Sequence, residues 1–368
     1  CLLSRKAVAA RFSVASRIPR VHPSSGIDVR MRKLDNRAVD RWLRAALALA
    51  VFVFPPAAMA EEAPVFALPI ACELGSSCVI QNYVDVDLSS ASRDYQCGTL
   101  TYDGHNGTDF RLPSMAAQQA GVDVLAAAAG RVVRRRDGIP DVSVRSAGEA
   151  AVRDVECGNG VVIEHAAGWQ TQYCHLARGS LRVEVGDRVA ARQPVGRVGL
   201  SGLTEYPHLH FIVRHRGATI DPFAYEASPQ SCGGGHMLWE PGLRPQLAYR
   251  PRWALNTGFS TGSVTMAALE SGQTEQQPGV DAPALVAYAR GIGLKAGDIQ
   301  TIVLSGPFGQ VLAKHQAEPL ARHQAQSLIF AGFRKPPAGW SQGTYRAKYL
   351  ISRDGSTVFE RDFEILLP

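Results

Sequence analysis

The sequence predicts a mostly β protein, on three observations. From about residue 100 to 227 the apolar residues come in short runs broken by glycine, with no stretch of sustained helical period. Near the C-terminus the chain alternates strictly: Tyr345, Ala347, Tyr349 and Ile351 fall on one face, a turn follows at Asp354-Gly355, and Phe359, Arg361, Phe363 and Ile365 alternate again. Hydrophobic residues make up 46% of the chain and charged ones 20%, so a sizeable core is expected from 368 residues.

Taken in order, residues 1–60 are the basic part. They hold 11 of the 39 Lys and Arg and only 3 of the 33 Asp and Glu, which leaves 28 basic against 30 acidic side chains in the rest. The formal charge of +6 therefore belongs to this upstream segment, and no nucleic-acid partner is inferred from it. Within it, Met31 opens a run with Arg32, Lys33, Arg37, Arg41 and Arg44, then an apolar stretch Ala45–Phe54, then PPAAMA ending at Ala60. A positive region, a short apolar region and a small-x-small site describe an export signal over about 31–60. Ten apolar residues closed by Pro55-Pro56 are too few to span a bilayer, so no stable membrane span is expected after cleavage.

Residues 61–99 are polar and carry Cys72, Cys78 and Cys97; with Cys157, Cys174 and Cys232 they make six cysteines beyond the signal. An even number in an exported chain predicts disulfides, with the short Cys72–Cys78 loop as the first candidate. Residues 100–235 form the next unit. There VVIEHAAGWQTQYCHL (161–176) reads as a hairpin, preceded by a long connection from 136 to 160 able to wall a cleft, and VEVGDRVAARQPVGRVGLSG (183–202) reads as β scaffold. SPQSCGGG (228–235) marks a boundary, and residues 236–368 read as an Ig-like β-sandwich whose IQTIVLSGPFGQVLA holds two strands around a Gly-Pro-Phe-Gly turn.

Three histidine-bearing stretches carry the chemistry. GHNGTDF (104–110) sets His105 and Asp109 four apart in a glycine-bracketed loop; QYCHL (172–176) puts His175 at a strand end; YPHLHFIV (206–213) sets His208 and His210 on one strand face. Two histidines and a carboxylate are a common ligand set for catalytic zinc, with a fourth position left for water. On spacing alone His105, Asp109 and either His208 or His210 would ligate, leaving the other and His175 for proton and charge work. His165 reads as a hairpin residue, and His22, His215, His236, His315 and His323 join no constellation.

The ordered set GHNGTDF, GNGVVIEHAAGWQTQYCHL, VGDRVAARQPVGRVGLSG and PHLHF closely resembles the LytM-type, or M23, zinc metallopeptidases over roughly residues 100–225. The resemblance implies a groove over an antiparallel sheet and hydrolysis of peptide bonds in bacterial peptidoglycan, in the periplasm or outside the cell. It also implies one zinc ion per chain held by His105, Asp109 and His210, with His175 and His208 as the catalytic histidines. The long 137–157 loop, GLTEYP (202–207) and the Cys157 and Cys174 pair depart from the usual pattern and bear on the groove walls. The alternative within the same resemblance is a LytM-like protein without catalysis, a regulator or wall-binding protein that activates other wall hydrolases.

Overall fold

Alternation along the chain becomes sheet faces in the computed structural model, which describes residues 62–228, 231–274 and 277–368. The signal-like stretch 31–60 lies outside the described residues. The first part comprises β1 (Val79–Asn82), β2 (Thr108–Arg111), α1 (Met115–Ala120), β3 (Asp123–Leu125), β4 (Gly130–Arg136), α2 (Val144–Ala147), β5 (Asn159–Glu164), β6 (Trp169–Leu176), β7 (Arg188–Val189), β8 (Pro194–Arg197), β9 (His208–His215) and β10 (Ala218–Ile220). Eight of these strands build one antiparallel sheet in the order β1-β2-β9-β6-β5-β4-β7, with β10 also on β9, and β3 pairs with β8 alone.

One face of this sheet is the core. Leu209, Phe211 and Val213 of β9, Tyr173 of β6, Phe110 of β2 and Ile163 of β5 are all buried there with Phe66, Trp169 and Trp239. Because side chains alternate, His208, His210, Ile212 and Arg214 must rise from the other face. Residues 62–99 are integral to this part: β1 pairs with β2, and Phe66, Ile70, Tyr83 and Tyr95 are in the core. Leu238, Trp239 and Leu247, beyond the Gly-rich stretch, pack into the same core. The long connection 137–158 is partly helical and is anchored at its base, where Asp141 accepts hydrogen bonds from the backbone N–H of Leu200 and of Arg178, each at 2.8 Å.

The second part holds β11 (Trp253–Ser260), α3 (Met266–Ser271), β12 (Ala284–Leu294), β13 (Ile299–Ser305), β14 (Val311–Gln316), β15 (Gln324–Arg334), β16 (Gly343–Arg353) and β17 (Ser356–Leu367). They form two antiparallel sheets, β11-β12-β15 and β14-β13-β16-β17, over one shared core. The alternating set Tyr345, Ala347, Tyr349 and Ile351 is buried in that core, opposite Leu285, Ala287 and Ala289. The hairpins expected around residues 306–309 and 354–355 are β13–β14 and β16–β17.

The six cysteines pair as Cys72–Cys78, Cys97–Cys232 and Cys157–Cys174. The second bridge closes a loop of 135 residues, from the segment before β2 to the stretch after β10. The third ties the end of the 137–157 connection to β6. No helix among the described residues is long and apolar enough to cross a membrane.

Candidate metal centre

Register brings the site together. In the β2–β9 ladder Asp109 lies opposite His210 and Arg111 opposite His208, so all four share the face away from the core. His105 precedes β2 in a tight loop rather than a helix, and its ring folds back over the start of that strand. Gly107 permits this packing: a Cβ there would lie 2.7 Å from His210 Cε1 and 2.8 Å from the Phe211 carbonyl oxygen.

His175 reaches the same face by a different device. Its neighbour Cys174 is opposite His210, so simple alternation would send His175 to the core side. Instead His175 has φ of 61°, and the β5–β6 ladder shifts register between Asn159 and Val161. Such an irregularity re-aims a side chain. The backbone N–H of His175 donates to the Cys157 carbonyl at 2.8 Å, beside the Cys157–Cys174 bridge. The result sets the His175 and His208 ring centroids 4.6 Å apart, with His210 5.9 Å from His175.

Three donor atoms converge at the centre: His105 Nε2 to Asp109 Oδ1 is 3.2 Å, His210 Nδ1 to Asp109 Oδ1 is 2.8 Å, and His105 Nε2 to His210 Nδ1 is 3.2 Å. The other nitrogen of each ring is engaged elsewhere. His105 Nδ1 donates to the Tyr83 carbonyl at 2.6 Å, and His210 Nε2 donates to Asn106 Oδ1 at 3.1 Å. This fixes the tautomers, so lone pairs of two imidazoles and a carboxylate face one another in a nearly dry place. A cation is what such an arrangement lacks. Tetrahedral zinc with ligand distances of about 2.0–2.1 Å separates its donors by about 3.3–3.4 Å, close to the spacing found. His105, Asp109 and His210 therefore fit a zinc ion by donor chemistry and by distance.

Charge in this pocket follows from burial and from that carboxylate. Burial alone would raise the Asp109 pKa, yet the His105 and His208 rings hold it well below the usual carboxylate range. Burial pushes His105 down, but Asp109 beside it wins and the net shift is upward. His175 is held well below the ordinary histidine value by burial and then by His208 and His210. Burial likewise lowers His208, against the opposing pull of Asp109. Both rings are thus neutral bases near pH 7, each with Nδ1 occupied: His175 Nδ1 donates to the Ser201 carbonyl at 2.8 Å, and His208 Nδ1 to the Tyr206 carbonyl at 3.0 Å. His208 Nε2, the nitrogen left over, is 3.5 Å from Asp109 Oδ1.

All five side chains singled out by sequence are brought to this cluster. Reading the sequence missed its outer supports: Asn106, the Tyr83 and Ser201 carbonyls, Tyr102 with its ring tilted against His105 at 4.5 Å, and Tyr206 5.3 Å from His208. It also missed Arg111. The signal for Arg111 was present, a charge two residues after Asp109 in an apolar strand, which alternation places on the face of the site. His165 is held by the Ala129 carbonyl and Thr171 Oγ1, within the hairpin and apart from the cluster.

Residues 103–222 match the family described as Peptidase family M23. Two curated relatives, the peptidoglycan DD-endopeptidases ShyA and ShyB of Vibrio cholerae serotype O1, are each 31% identical over 117 residues, 32% of this chain and 22% of theirs. The chain thus spans less than a quarter of the length of these relatives. Among solved structures, a point mutant of the catalytic domain of the prophage-encoded M23 protein EnpA from Enterococcus faecalis is 23% identical, with a TM-score of 0.29, covering 45% of this chain and 98% of that one. The match to peptidase family M23 thus extends over residues 103–222, about a third of the chain.

Proposed function

We propose that this protein is an exported, zinc-dependent endopeptidase that hydrolyses peptide cross-links of bacterial peptidoglycan. The observation that carries the reading is the convergence of His105 Nε2, Asp109 Oδ1 and His210 Nδ1 within 3.2 Å of one another, their remaining ring nitrogens tied to outside acceptors. Zinc held there would supply Lewis acidity, acidifying water and polarising a peptide carbonyl. The chain's own residues supply the rest. His175 and His208, neutral and fixed through Nδ1, each present a free Nε2 placed to accept a proton and, once protonated, to donate a hydrogen bond to an oxygen that gains charge. Backbone carbonyls orient both rings, so neither has to reorganise during turnover.

The substrate class rests on the likeness to the DD-endopeptidases, and export rests on the signal-like stretch 31–60 together with three disulfides. The test is digestion of purified cross-linked peptidoglycan by the full chain, with and without chelator, and mass analysis of the products. Cross-linked fragments should open to monomers, stop opening in chelator and resume on adding zinc. No opening by zinc-loaded protein, or opening indifferent to chelator, overturns the proposal.

A further inference from the structure

Beside the metal cluster lies a second cavity, of about 700 Å³, whose walls come from four places. The GLTEYP loop and the 137–157 connection supply Glu205, Tyr206 and Arg145, the segment before β2 supplies Tyr102, and the sandwich supplies Arg322 and His323 just before β15. The first two are the departures from the usual M23 pattern. The fourth is the C-terminal part of the chain.

The cavity adjoins the site through two tyrosines: Tyr102 packs at a tilt against His105, and Tyr206 stands next to His208. Arg111 underlies Tyr206, its guanidinium carbon 3.8 Å from the ring centroid. Arg111 is two residues along the strand from Asp109, about 6–7 Å, so the cavity begins one or two peptide residues from the metal cluster.

Its charge is positive and incompletely balanced. Arg145 and Glu205 neutralise one another at 2.6 Å. Arg111 is wholly buried and shares a single carboxylate oxygen, Glu270 Oε2, with the equally buried Arg290, at 2.9 and 2.5 Å. Two guanidiniums on one carboxylate leave a net positive charge inside the protein, and the Nε of Arg111 has no hydrogen-bond partner among the described residues. Arg322 is exposed at the cavity wall and forms no ion pair among the described residues. His323 is turned away to accept from the Ala296 N–H at 3.1 Å.

We propose that this cavity is a carboxylate-binding subsite, in which Arg322 donates to a free carboxylate of the substrate peptide while buried Arg111 supplies a fixed field from below. Guanidinium suits a carboxylate by charge and by its fork of N–H donors. This deepens the peptidase reading and rests on it: the sandwich becomes part of the substrate groove, selecting stem peptides whose branch carboxylate, one or two residues from the scissile bond, is free rather than amidated.

Two measurements on the full chain test it. With zinc-loaded protein, cross-linked muropeptides bearing free carboxylates should be cut with KM about tenfold below that of their amidated forms, as a charged hydrogen bond gives. Arg322→Gln should raise KM for the free form alone, with kcat unchanged. Equal KM for the two forms, or an Arg322→Gln protein that keeps the preference, overturns the proposal. Separately, metal-free protein is titrated by NMR with the tripeptide L-Ala-γ-D-Glu-L-Lys and with its α-amide. Tighter binding of the acid, lost in Arg322→Gln, supports the subsite even if no muropeptide is cut, an outcome that would sink the peptidase reading instead. Indistinguishable binding of acid and amide refutes the subsite whatever the protein cleaves.

Discussion

Gly107→Ala tests the metal centre with a single methyl group. Gly107 needs no unusual φ, so the substitution asks only for space. The added carbon would lie 2.7 Å from His210 Cε1, 2.9 Å from its Nε2 and 2.8 Å from the carbonyl oxygen of Phe211, against ordinary contacts of 3.4–4 Å. Relief requires movement of about 0.7 Å, and Phe211 cannot supply it, because its backbone is locked between β2 and β6 in the centre of the sheet. Residue 107 must therefore shift off the Phe211 carbonyl and the His210 ring must give way, straining its bonds to Asn106 and Asp109. Catalytic constellations tolerate about 0.5 Å of displacement, and disturbing the support of a ligand typically costs about 10–100-fold in metal affinity. Zinc affinity by chelator competition should fall within that range, while Gly242→Ala, where a Cβ meets nothing within 4 Å, should leave it unchanged. Asn106→Ala removes the same support without adding volume and should shift affinity in the same direction if Gly107→Ala fails to fold. Affinity within twofold of wild type in both variants would refute the assignment of His210 Nδ1 as a ligand.

The remaining predictions separate roles. His210→Ala should lose zinc by more than about 100-fold, whereas His208→Ala should keep it and lose turnover by about 10²–10⁴-fold; equal metal loss in the two, measured by metal content after dialysis, would reverse the assignment. Asp221 is buried, with Oδ1 accepting from the Phe223 N–H at 2.8 Å and Oδ2 unpartnered among the described residues, and burial pushes its pKa up to about 7. A raised carboxyl pKa adds stability in full below about pH 4 and has lost it above about pH 7, a span of about 4 kcal/mol. Asp221→Asn should therefore flatten the decline of stability between pH 4 and 7; denaturant melts with the wild-type slope would exclude the mechanism. Reductant should lower the melting temperature markedly, since the loop closed by Cys97–Cys232 is worth roughly 5 kcal/mol in the chain-entropy account; a melt unchanged by reductant would remove that contribution.

Strand alternation made much of this legible in the sequence. The H-x-H pair reads directly, because a strand puts His208 and His210 on one face whatever else the protein does, and the Tyr345–Ile351 alternation marks the sandwich core as plainly. Cross-strand register was hidden: nothing local says that Asp109 lies opposite His210, a contact across a hundred residues, and the family likeness had to choose His210 over His208 as ligand. The second cavity was hidden for the same reason. Arg111, Glu205 and Arg322 come from three separate stretches, and their shared wall exists only once the sandwich packs beside β1 and β2. The long connection and GLTEYP could be flagged as unusual, but not as two sides of one chamber.

His175 marks the limit of periodicity as a guide, and shows what the fold sacrifices at the site. A β-strand reading puts Tyr173 and His175 on the same face, and Tyr173 is wholly buried, its hydroxyl accepting from the Ala127 N–H at 2.8 Å. Kept in that register, His175 would be a core histidine. The left-handed backbone at φ 61° costs of order 1 kcal/mol for a residue with a Cβ. Glycine would relieve it, and glycine has no imidazole. Two bonds and a bridge hold the chain in this conformation: the His175 N–H to the Cys157 carbonyl, its Nδ1 to the Ser201 carbonyl, and Cys157–Cys174 alongside. Each of these fixes the ring's position relative to His208. The strain is thus spent on orientation, which is what the proposed catalytic role of this ring requires.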